Sequence, residues 1–323
     1  MIKLFLFILL TKIMDVTPFK VVGWFNGKYD DIKNIPFDKY THIVTGFPTT
    51  YKNGTVECNL DDNITQTIVK LAHDNNDYVQ WRGNFPGDIL DWKNNISVME
   101  NYASSLPIAM EKCNIDGVEF DYEWNDRFLN KLGIITSYMS NTYTDFLEYL
   151  KKSVGNKLVS IEIGVWGCCC QGCGYPLGVL PWVNVTRFND GAFDFVNIMS
   201  YHNQYFKNLL YWESDYYFIK EIWGYNVSKV NLAISYFSMN SSYFKILSEP
   251  TWVHLSKNCP NIDPNLNICN GLPFTGKKLN YEIGAYAKKM GFGGLFPWTI
   301  NYDSFEYNNT LIDWAIAGVN SVK

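Results

Sequence analysis

Short apolar runs alternate with segments of helical spacing along nearly the whole chain of 323 residues. Runs bounded by turn residues are typical of strands buried in a parallel sheet, and apolar residues three or four positions apart are typical of amphipathic helices. The predicted strands lie at residues 21–25, 41–47, 78–81, 116–123, 158–166, 193–201, 229–237 and 293–298. The predicted helices lie at residues 61–72, 98–112, 143–154, 183–188, 216–223, 281–290 and 311–317. About eight such alternations at this length predict an α/β fold, a single (β/α)8 TIM barrel.

The domain organisation follows from the absence of any linker, repeat or low-complexity segment, so residues 20–323 are predicted to form one domain. Residues 1–19 are predicted to be a signal peptide with a short lead-in, because Lys3 precedes the apolar residues 4–10. An uncleaved anchor is the alternative, but it needs about 20 apolar residues. No later segment is long enough for a span. We therefore expect a secreted or lumenal protein with no membrane span once the leader is removed.

The eight cysteines behind such a leader favour disulfides formed in an oxidising compartment over free thiols in the cytosol. Cys259 and Cys269 are expected to close one local loop, and the other pairings stay open. The cluster at residues 168–173 has no second Cys/His pair at zinc-site spacing, so a disulfide-braced loop is preferred to a metal site. N-glycosylation sequons begin at Asn53, Asn63, Asn95, Asn184, Asn226, Asn240 and Asn308, although the chain is so rich in asparagine that several can arise by chance.

The charge distribution argues against one class of partner. The formal net charge is -5 and the pI is about 5.4, and no basic run stands out along the chain. Proteins that bind nucleic acid carry a clustered cationic surface. We therefore expect no nucleic-acid partner.

Residues 116–123 form an acidic octet in which Glu119, Asp121 and Glu123 alternate with apolar residues. Because side chains alternate across a strand, the three carboxylates share one face. On an antiparallel strand this pattern is only the solvent face. In a closed parallel barrel the same face points inward, and burial beside other acids raises a carboxyl pKa towards the range of a general acid.

Three segments together resemble family 18 of the glycoside hydrolases, the chitinase family. Residues 116–123, Asp-Gly-Val-Glu-Phe-Asp-Tyr-Glu, are similar to its Asp-Gly-x-Asp-x-Asp-x-Glu signature on strand four. Residues 199–201, Met-Ser-Tyr, resemble its Met-x-Tyr segment on strand six. Residues 293–298 resemble the strand-eight segment that ends in the tryptophan under the sugar pocket. The first two predicted strands are also similar, so the resemblance covers nearly all of the mature chain.

The resemblance implies retaining hydrolysis of N-acetylglucosamine glycans, in which the N-acetyl group of the substrate replaces an enzyme nucleophile. Glu123 is then the general acid and base, and Asp121 orients the acetamido group and stabilises the oxazolinium ion. Tyr201 is expected to bind the acetamido carbonyl, and Trp298 to stack on the sugar. Glu119 is expected to share charge and a proton with Asp121. No metal or cofactor is required.

Further residues are expected to bind the substrate. Met199 and His202 flank the predicted tyrosine on strand six, and Trp81 is preferred among the remaining tryptophans because it lies near a strand end. The loop at residues 238–278 is long enough to form a cleft wall. It is too short for the full α+β subdomain that deep-cleft members of the resembled family insert.

Three positions depart from the pattern of the resembled family. Glu119 replaces an aspartate, His202 replaces the aspartate that often follows the tyrosine, and residues 80–84 replace a small Ser-x-Gly-Gly segment and bring in Arg82. Arg82 is expected to pair with the acids. The sequence therefore predicts a monomeric chitinase-like enzyme that acts on chitin, or on the core of N-glycans. A glycan-binding lectin on the same scaffold is the alternative, and a structural coat protein has no specific support.

Overall fold

The fold was analysed in a computed structural model that describes residues 18–122, 136–164, 181–200, 209–238, 251–304 and 310–323. Parallel strands close a barrel in the order β1-β2-β3-β4-β5-β6-β7-β8, with β8 pairing back onto β1. The barrel strands are β1 (Lys20–Trp24), β2 (His42–Val44), β3 (Tyr78–Arg82), β4 (Gly117–Phe120), β5 (Leu158–Ile163), β6 (Phe195–Ile198), β7 (Val230–Ser235) and β8 (Gly294–Trp298). The predicted (β/α)8 barrel is confirmed.

Helices follow most of the strands and cover the outside of the barrel. They are α1 (Asn63–Asp74), α2 (Ile96–Cys113), α3 (Ser137–Val154), α4 (Val185–Asn189), α5 (Leu210–Tyr216), α6 (Trp252–Asn258), α7 (Lys277–Lys289) and α8 (Leu311–Ser321). Helix α1 begins as predicted, because the Asp62 side chain accepts a hydrogen bond of 3.1 Å from the Thr65 backbone N–H. In the described part of the chain, no helix combines the length and the apolarity needed to cross a membrane.

The structure differs from the sequence prediction mainly at element ends. The predicted helix at 216–223 is a π-helical turn, Tyr217–Ile222, that continues from α5. Between β1 and β2, where the sequence predicts no helix, the chain forms two short 3₁₀ helices, Tyr29–Asn34 and Phe37–Lys39. Pro36 lies between them, has no N–H to donate and disfavours a helical residue before it. Strands β5 and β6 are shorter than predicted. The prediction extended them through apolar residues that follow the last paired residue of each strand.

Side-chain alternation divides the apolar core into an outer layer and a barrel interior. The interior apolar cluster consists of Val22, Trp24, Val44, Phe195, Met199, Ala233, Phe237 and Phe296. Trp81 belongs to the other cluster, with Val79, Val118 and Phe120, and is only 1% exposed. Neighbouring side chains on a strand point to opposite faces. Gln80 points into the barrel, so Trp81, the next residue of β3, points outward. Trp81 is therefore a core residue, which corrects the prediction that it lines a glycan cleft.

Two disulfides join segments of the described chain. Cys259 and Cys269 close a local loop as expected, with Cα atoms 6.2 Å apart. Cys58 and Cys113 connect the segment after a short hairpin to the last residue of α2, across 55 positions of sequence. The cysteines at residues 168–173 lie outside the described residues.

The predicted glycosylation sequons differ in their surroundings. Asn53, Asn63, Asn95 and Asn226 are exposed. The Asn184 side chain instead accepts a hydrogen bond from the Arg187 backbone and donates one of 2.8 Å to Asn141. Asn240 and Asn308 lie outside the described residues, and so does the stretch 239–250 of the predicted cleft-wall loop. That this loop holds no full inserted subdomain stays a prediction.

Candidate active site

Glu119 lies on the inward face of β4 and is completely buried. Its Oε1 accepts a hydrogen bond of 2.6 Å from Trp24 Nε1 on β1. Its Oε2 accepts bonds of 2.7 Å from Ser160 Oγ on β5 and 2.8 Å from Asn197 Nδ2 on β6. Donors from three strands thus converge on one carboxylate in the barrel.

A second row of amides holds these donors in place. Gln80 Nε2 on β3 donates to Ser160 Oγ at 2.8 Å. Asn231 Nδ2 on β7 donates to Asn197 Oδ1 at 2.8 Å. The network therefore connects β1 and the strands from β3 to β7 across the barrel interior. Because side chains of three strands bond both of its oxygens, the Glu119 carboxylate is held in one orientation.

Burial dominates the electrostatics of this carboxyl and raises the pKa of Glu119. Hydrogen bonds from Ser160, Trp24 and Asn197 act in the opposite direction and lower that pKa. Glu162 lies on β5 two positions beyond Ser160 and is 1% exposed. The interior of the barrel therefore holds two buried acids on neighbouring strands.

Asp121 follows the last residue of β4 and is exposed, so its carboxylate lies at the carboxyl end of the barrel. Active sites of TIM barrels form at this end. Its charge contributes to raising the pKa of the Tyr143 phenol on α3, although burial is the larger cause. Glu119 and Asp121 therefore lie two residues apart along β4 and its end, one within the barrel and one at its mouth.

Arg82 closes one side of this mouth at the end of β3. Its guanidinium carbon lies 4.9 Å from the Trp24 ring centroid and 5.1 Å from that of Phe47. Its Nη2 donates to the Phe25 carbonyl at 2.6 Å. Burial lowers the pKa of Arg82, and the charges of Glu162 and Asp121 raise it. The structure gives no ion pair between Arg82 and an acid among the described residues, so the expected pairing stays a prediction, while the hydrogen bond to Phe25 ties Arg82 to the loop after β1.

Trp298 ends β8 and is partly exposed. Its ring centroid lies 4.8 Å from that of Trp24, with an angle of 44° between the ring planes. The peptide bond between Trp298 and Thr299 is cis. Trp24 therefore contacts Arg82 on one side, Trp298 on another and Glu119 through its indole N–H.

A contact at the end of β4 anchors the chain just before Glu123. The Tyr122 hydroxyl donates a hydrogen bond to the Asp88 carboxylate. Asp88 also accepts a bond of 2.9 Å from the Leu90 backbone, at the start of the 3₁₀ helix Ile89–Asn95. The end of β4 is thereby joined to the segment after β3.

The structure brings together some predicted site residues and leaves others undescribed. Glu119 lies inside the barrel, and Asp121 and Trp298 lie at its carboxyl end. Met199 is 2% exposed and belongs to the interior cluster, against which Trp298 packs. Glu123, Tyr201 and His202 lie outside the described residues.

Several residues of the network were not singled out from the sequence, among them Trp24, Ser160, Glu162 and Asn197. A signal for three of them was present. Ser160 and Glu162 interrupt the apolar run of β5 at alternate positions, and Asn197 interrupts the run of β6. Polar residues of period two in a strand expected to be buried on both faces point to a polar barrel interior.

Comparisons with known proteins agree with this geometry. The sequence profile of the Glycosyl hydrolases family 18 matches residues 20–245. No curated protein sequence matches the chain significantly. Solved structures with the same fold include the chitinase ChiB of Flavobacterium johnsoniae, with 19% identity, 94% of each chain covered and a TM-score of 0.68. A chitinase of Bacteroides thetaiotaomicron has 17% identity, covers 92% of this chain and 95% of its own, and gives a TM-score of 0.69.

An insect structure extends this set. The Group IV chitinase of Ostrinia furnacalis, solved with allosamidin, has 12% identity, covers 94% of this chain and 99% of its own, and gives a TM-score of 0.67. At such identities the solved structures show a common fold, whereas the family profile extends over more than half of the chain. The chain belongs to family 18 of the glycosyl hydrolases, and it is a glycoside hydrolase.

Proposed function

We propose that the protein hydrolyses β-1,4-linked N-acetylglucosamine glycans, chitin or chitooligosaccharides, with retention of configuration and with Glu123 as general acid and base. The observation that supports this most is the course of β4. It carries Glu119 into the barrel and ends with Asp121 exposed at the carboxyl end, two residues before Glu123. This course of β4 supports the proposal that Glu123 acts at the mouth of the barrel.

The proposed reaction begins when the acetamido carbonyl oxygen of the substrate attacks its own anomeric carbon. The glycosidic C–O bond breaks, and Glu123 gives its proton to the leaving oxygen. Asp121 accepts a hydrogen bond from the acetamido N–H and stabilises the positive oxazolinium ion, while the Tyr201 hydroxyl donates to the acetamido oxygen. Water then attacks the anomeric carbon, Glu123 takes its proton, and the acetamido group is restored.

An aromatic floor is proposed to hold the sugar above these groups. Trp298 is partly exposed at the end of β8 and rests against the buried Trp24. An indole face suits the apolar face of a pyranose. Met199 lies beneath this floor in the interior cluster, and His202 is proposed to face the substrate from the segment after β6.

The cellular setting is also a proposal. Residues 1–19 are proposed to be a signal peptide, residues 20–323 the catalytic domain, and the mature chain a secreted or lumenal monomeric glycoprotein. The disulfides Cys58–Cys113 and Cys259–Cys269 support this, because such bonds persist in oxidising compartments. The four exposed sequon asparagines are the proposed glycan acceptors.

The test compares the wild type with Glu123→Gln on labelled chitooligosaccharides and on a high-mannose glycopeptide. Glu100→Gln is the matched control, because Glu100 is an exposed acid on α2. We expect turnover of chitooligosaccharides by the wild type and by the control, and a loss of about 10³-fold or more in Glu123→Gln. Turnover of the glycopeptide alone would instead assign the protein to cleavage of N-glycan cores.

One observation favours a second function, glycan binding without hydrolysis. Glu119 replaces the aspartate of the family pattern, and its carboxylate is held by side chains of three other strands. If this arrangement prevents Glu119 from serving Asp121, the scaffold binds a glycan without cleaving it. Binding of chitin by the wild type without turnover of either substrate would establish this lectin function and contradict the enzyme proposal.

A further inference from the structure

We propose that Asn26 is a site of spontaneous deamidation, at which Arg82 promotes the loss of the side-chain amide and then pairs with the carboxylate that forms. Asn26 lies in the loop after β1, at the mouth of the barrel. The reaction replaces a neutral amide of this loop by a negative charge. It is independent of the proposed function, because it requires only the folded chain and water.

Deamidation begins when the backbone nitrogen of the following residue attacks the side-chain amide of asparagine. Glycine is the most favourable following residue, because it has no Cβ to hinder this close approach. The sequence holds three Asn-Gly pairs, at residues 26–27, 53–54 and 270–271. All three pairs lie within the described residues, so their surroundings can be compared directly.

The pair at residues 53–54 is protected by its turn. The Gly54 N–H donates a hydrogen bond of 2.9 Å to the Tyr51 carbonyl. The Asn53 side-chain oxygen accepts a hydrogen bond of 3.1 Å from the Thr55 N–H. Both groups that must react with each other are therefore held by other partners.

The pair at residues 26–27 has the opposite arrangement. In the part of the chain that the structure describes, neither the Gly27 N–H nor Asn26 Nδ2 has a hydrogen-bond partner. Asn26 is exposed, and its Oδ1 accepts hydrogen bonds of 3.3 Å from both Nη1 and Nη2 of Arg82. Arg82 is itself held by the Phe25 carbonyl at 2.6 Å. The attacking and leaving nitrogens are thus free, while the amide oxygen faces a fixed cation.

This geometry supports each step of the reaction. The Gly27 nitrogen attacks Asn26 Cγ and loses its proton to water, and the negative charge that develops on Oδ1 is stabilised by the two N–H groups of Arg82. The bond between Cγ and Nδ2 then breaks, and the amide nitrogen takes up a proton and leaves as ammonia. Water opens the resulting succinimide ring at Cγ, which gives an aspartate, or at the main-chain carbonyl, which gives an isoaspartate. Either product carries a carboxylate in place of the amide.

The aspartate formed at position 26 lies where the amide oxygen already met the guanidinium of Arg82. Hydrogen bonds between two charged groups are about twice as strong as those between neutral groups, and the planar guanidinium fits a carboxylate. The charges of Glu162 and Asp121 act on Arg82, but among the described residues Arg82 forms no ion pair with an acid. Deamidation therefore gives Arg82 a direct counter-ion and reduces the positive charge that acts on Asp121.

Peptide mapping by mass spectrometry measures the reaction in the folded protein during storage in a mildly alkaline buffer. Asn270 is the internal control, because it precedes Gly271 in a two-residue turn whose N–H is also free in the described chain. No described donor reaches the Asn270 side-chain oxygen. We expect Asn26 to deamidate about tenfold faster than Asn270. Equal rates at the two sites, or a faster reaction at Asn270, would overturn the proposal.

Arg82→Met tests the role of the guanidinium. We expect it to lower the rate at Asn26 by about fivefold and to leave the rate at Asn270 unchanged. An unchanged rate at Asn26 would contradict the proposed role of Arg82. If Arg82→Met does not fold, the comparison of Asn26 with Asn270 in the wild type still decides whether Asn26 is the reactive site.

Asn26→Asp tests the pairing of the product. In the wild-type background it is expected to raise the midpoint of thermal unfolding, because the new carboxylate pairs with Arg82. In the Arg82→Met background the same substitution is expected to give no such rise. An equal effect of Asn26→Asp in the two backgrounds would show that the carboxylate does not pair with Arg82, and would overturn that part of the proposal.

Discussion

Two fully buried carboxyl groups, Glu119 in the barrel and Asp303 beside α8, are built from different kinds of donors. Asp303 accepts hydrogen bonds from the backbone N–H groups of Ser304, Leu311 and Ile312, at 2.8, 2.8 and 3.0 Å. Ser304 is the adjacent residue, and Leu311 and Ile312 lie in the first turn of α8. A carboxylate satisfies the free N–H groups at the start of a helix well. Asp303 therefore caps helix α8, which begins eight residues later in the chain.

Glu119 also accepts three hydrogen bonds, but they come from side chains on three different strands. The side chains that converge on Glu119 satisfy no backbone N–H or C=O group. Each of them is itself a buried polar group that needs a hydrogen-bond partner. Such an arrangement costs stability rather than supplying it, which is typical of a functional site. The comparison shows that the origin of the donors distinguishes a structural acid from one in an active site.

The largest expected effect separates the two acids by turnover. Glu119→Gln places amide hydrogens against groups that donate, and we expect turnover to fall by roughly 100-fold. Asp303→Asn leaves one backbone N–H without its acceptor and is expected to lower the free energy of unfolding by about 1–3 kcal/mol, with turnover of the folded protein unchanged. Chitooligosaccharide assays and denaturant unfolding measure the two quantities. A loss of turnover in Asp303→Asn equal to that of Glu119→Gln would remove the distinction.

The pH dependence of stability gives the next largest effect. Burial raises the pKa of Asp303 from 3.8 to about 7, so the folded protein binds more protons than the unfolded chain between these values. The contribution of Asp303 to the free energy of unfolding should therefore be largest below pH ~4 and fall by roughly 4 kcal/mol as the pH rises to about 7. Asp303→Asn, which does not titrate, should lack this decline. Asp77 has a similar pKa in both proteins and cancels in the difference. Identical slopes in the two proteins would show that Asp303 is ionised throughout.

A smaller effect is expected at Trp24, which donates to Glu119 and contacts Trp298. Trp24→Phe keeps an aromatic ring under Trp298 but removes the indole N–H, and we expect turnover to fall by about tenfold. Trp92→Phe is the matched control, because Trp92 is buried and donates to the Thr142 carbonyl far from Glu119. If both variants lose turnover equally, the bond to Glu119 has no specific role.

The smallest expected effect concerns the contact between Tyr122 and Asp88. Tyr122→Phe removes the hydroxyl and releases the end of β4 from the segment after β3, so we expect turnover to fall by about threefold with little change in substrate binding. Tyr138→Phe is a control on an exposed tyrosine of α3. Steady-state kinetics that show a change in KM alone would contradict a role in placing the chain before Glu123.

The barrel and the inward face of β4 could be predicted from sequence because they depend on local patterns. Apolar runs and helical spacing gave the order of elements, and alternation along β4 placed Glu119 inside. The same rule, applied to β3, places Gln80 inside the barrel and Trp81 outside it. The prediction for Trp81 was wrong because it used only the position near the strand end and not the alternation along the strand.

Other features depend on contacts between distant residues. Ser160 donates to Glu119 across neighbouring strands, and Asp303 caps a helix that begins eight residues later in the chain. Cys58 and Cys113 are separated by 55 positions, so their pairing could not be read from spacing. These features require the register of the barrel and the packing of the helices around it.

The most direct test of the central claim is the configuration of the first product. Proton NMR during early hydrolysis of a chitooligosaccharide identifies the anomer released before mutarotation. A substrate-assisted reaction with Glu123 as acid predicts the β-anomer, and it predicts that Glu123→Gln forms no product in the same time. Initial release of the α-anomer, or equal product formation by Glu123→Gln, would contradict the proposed mechanism.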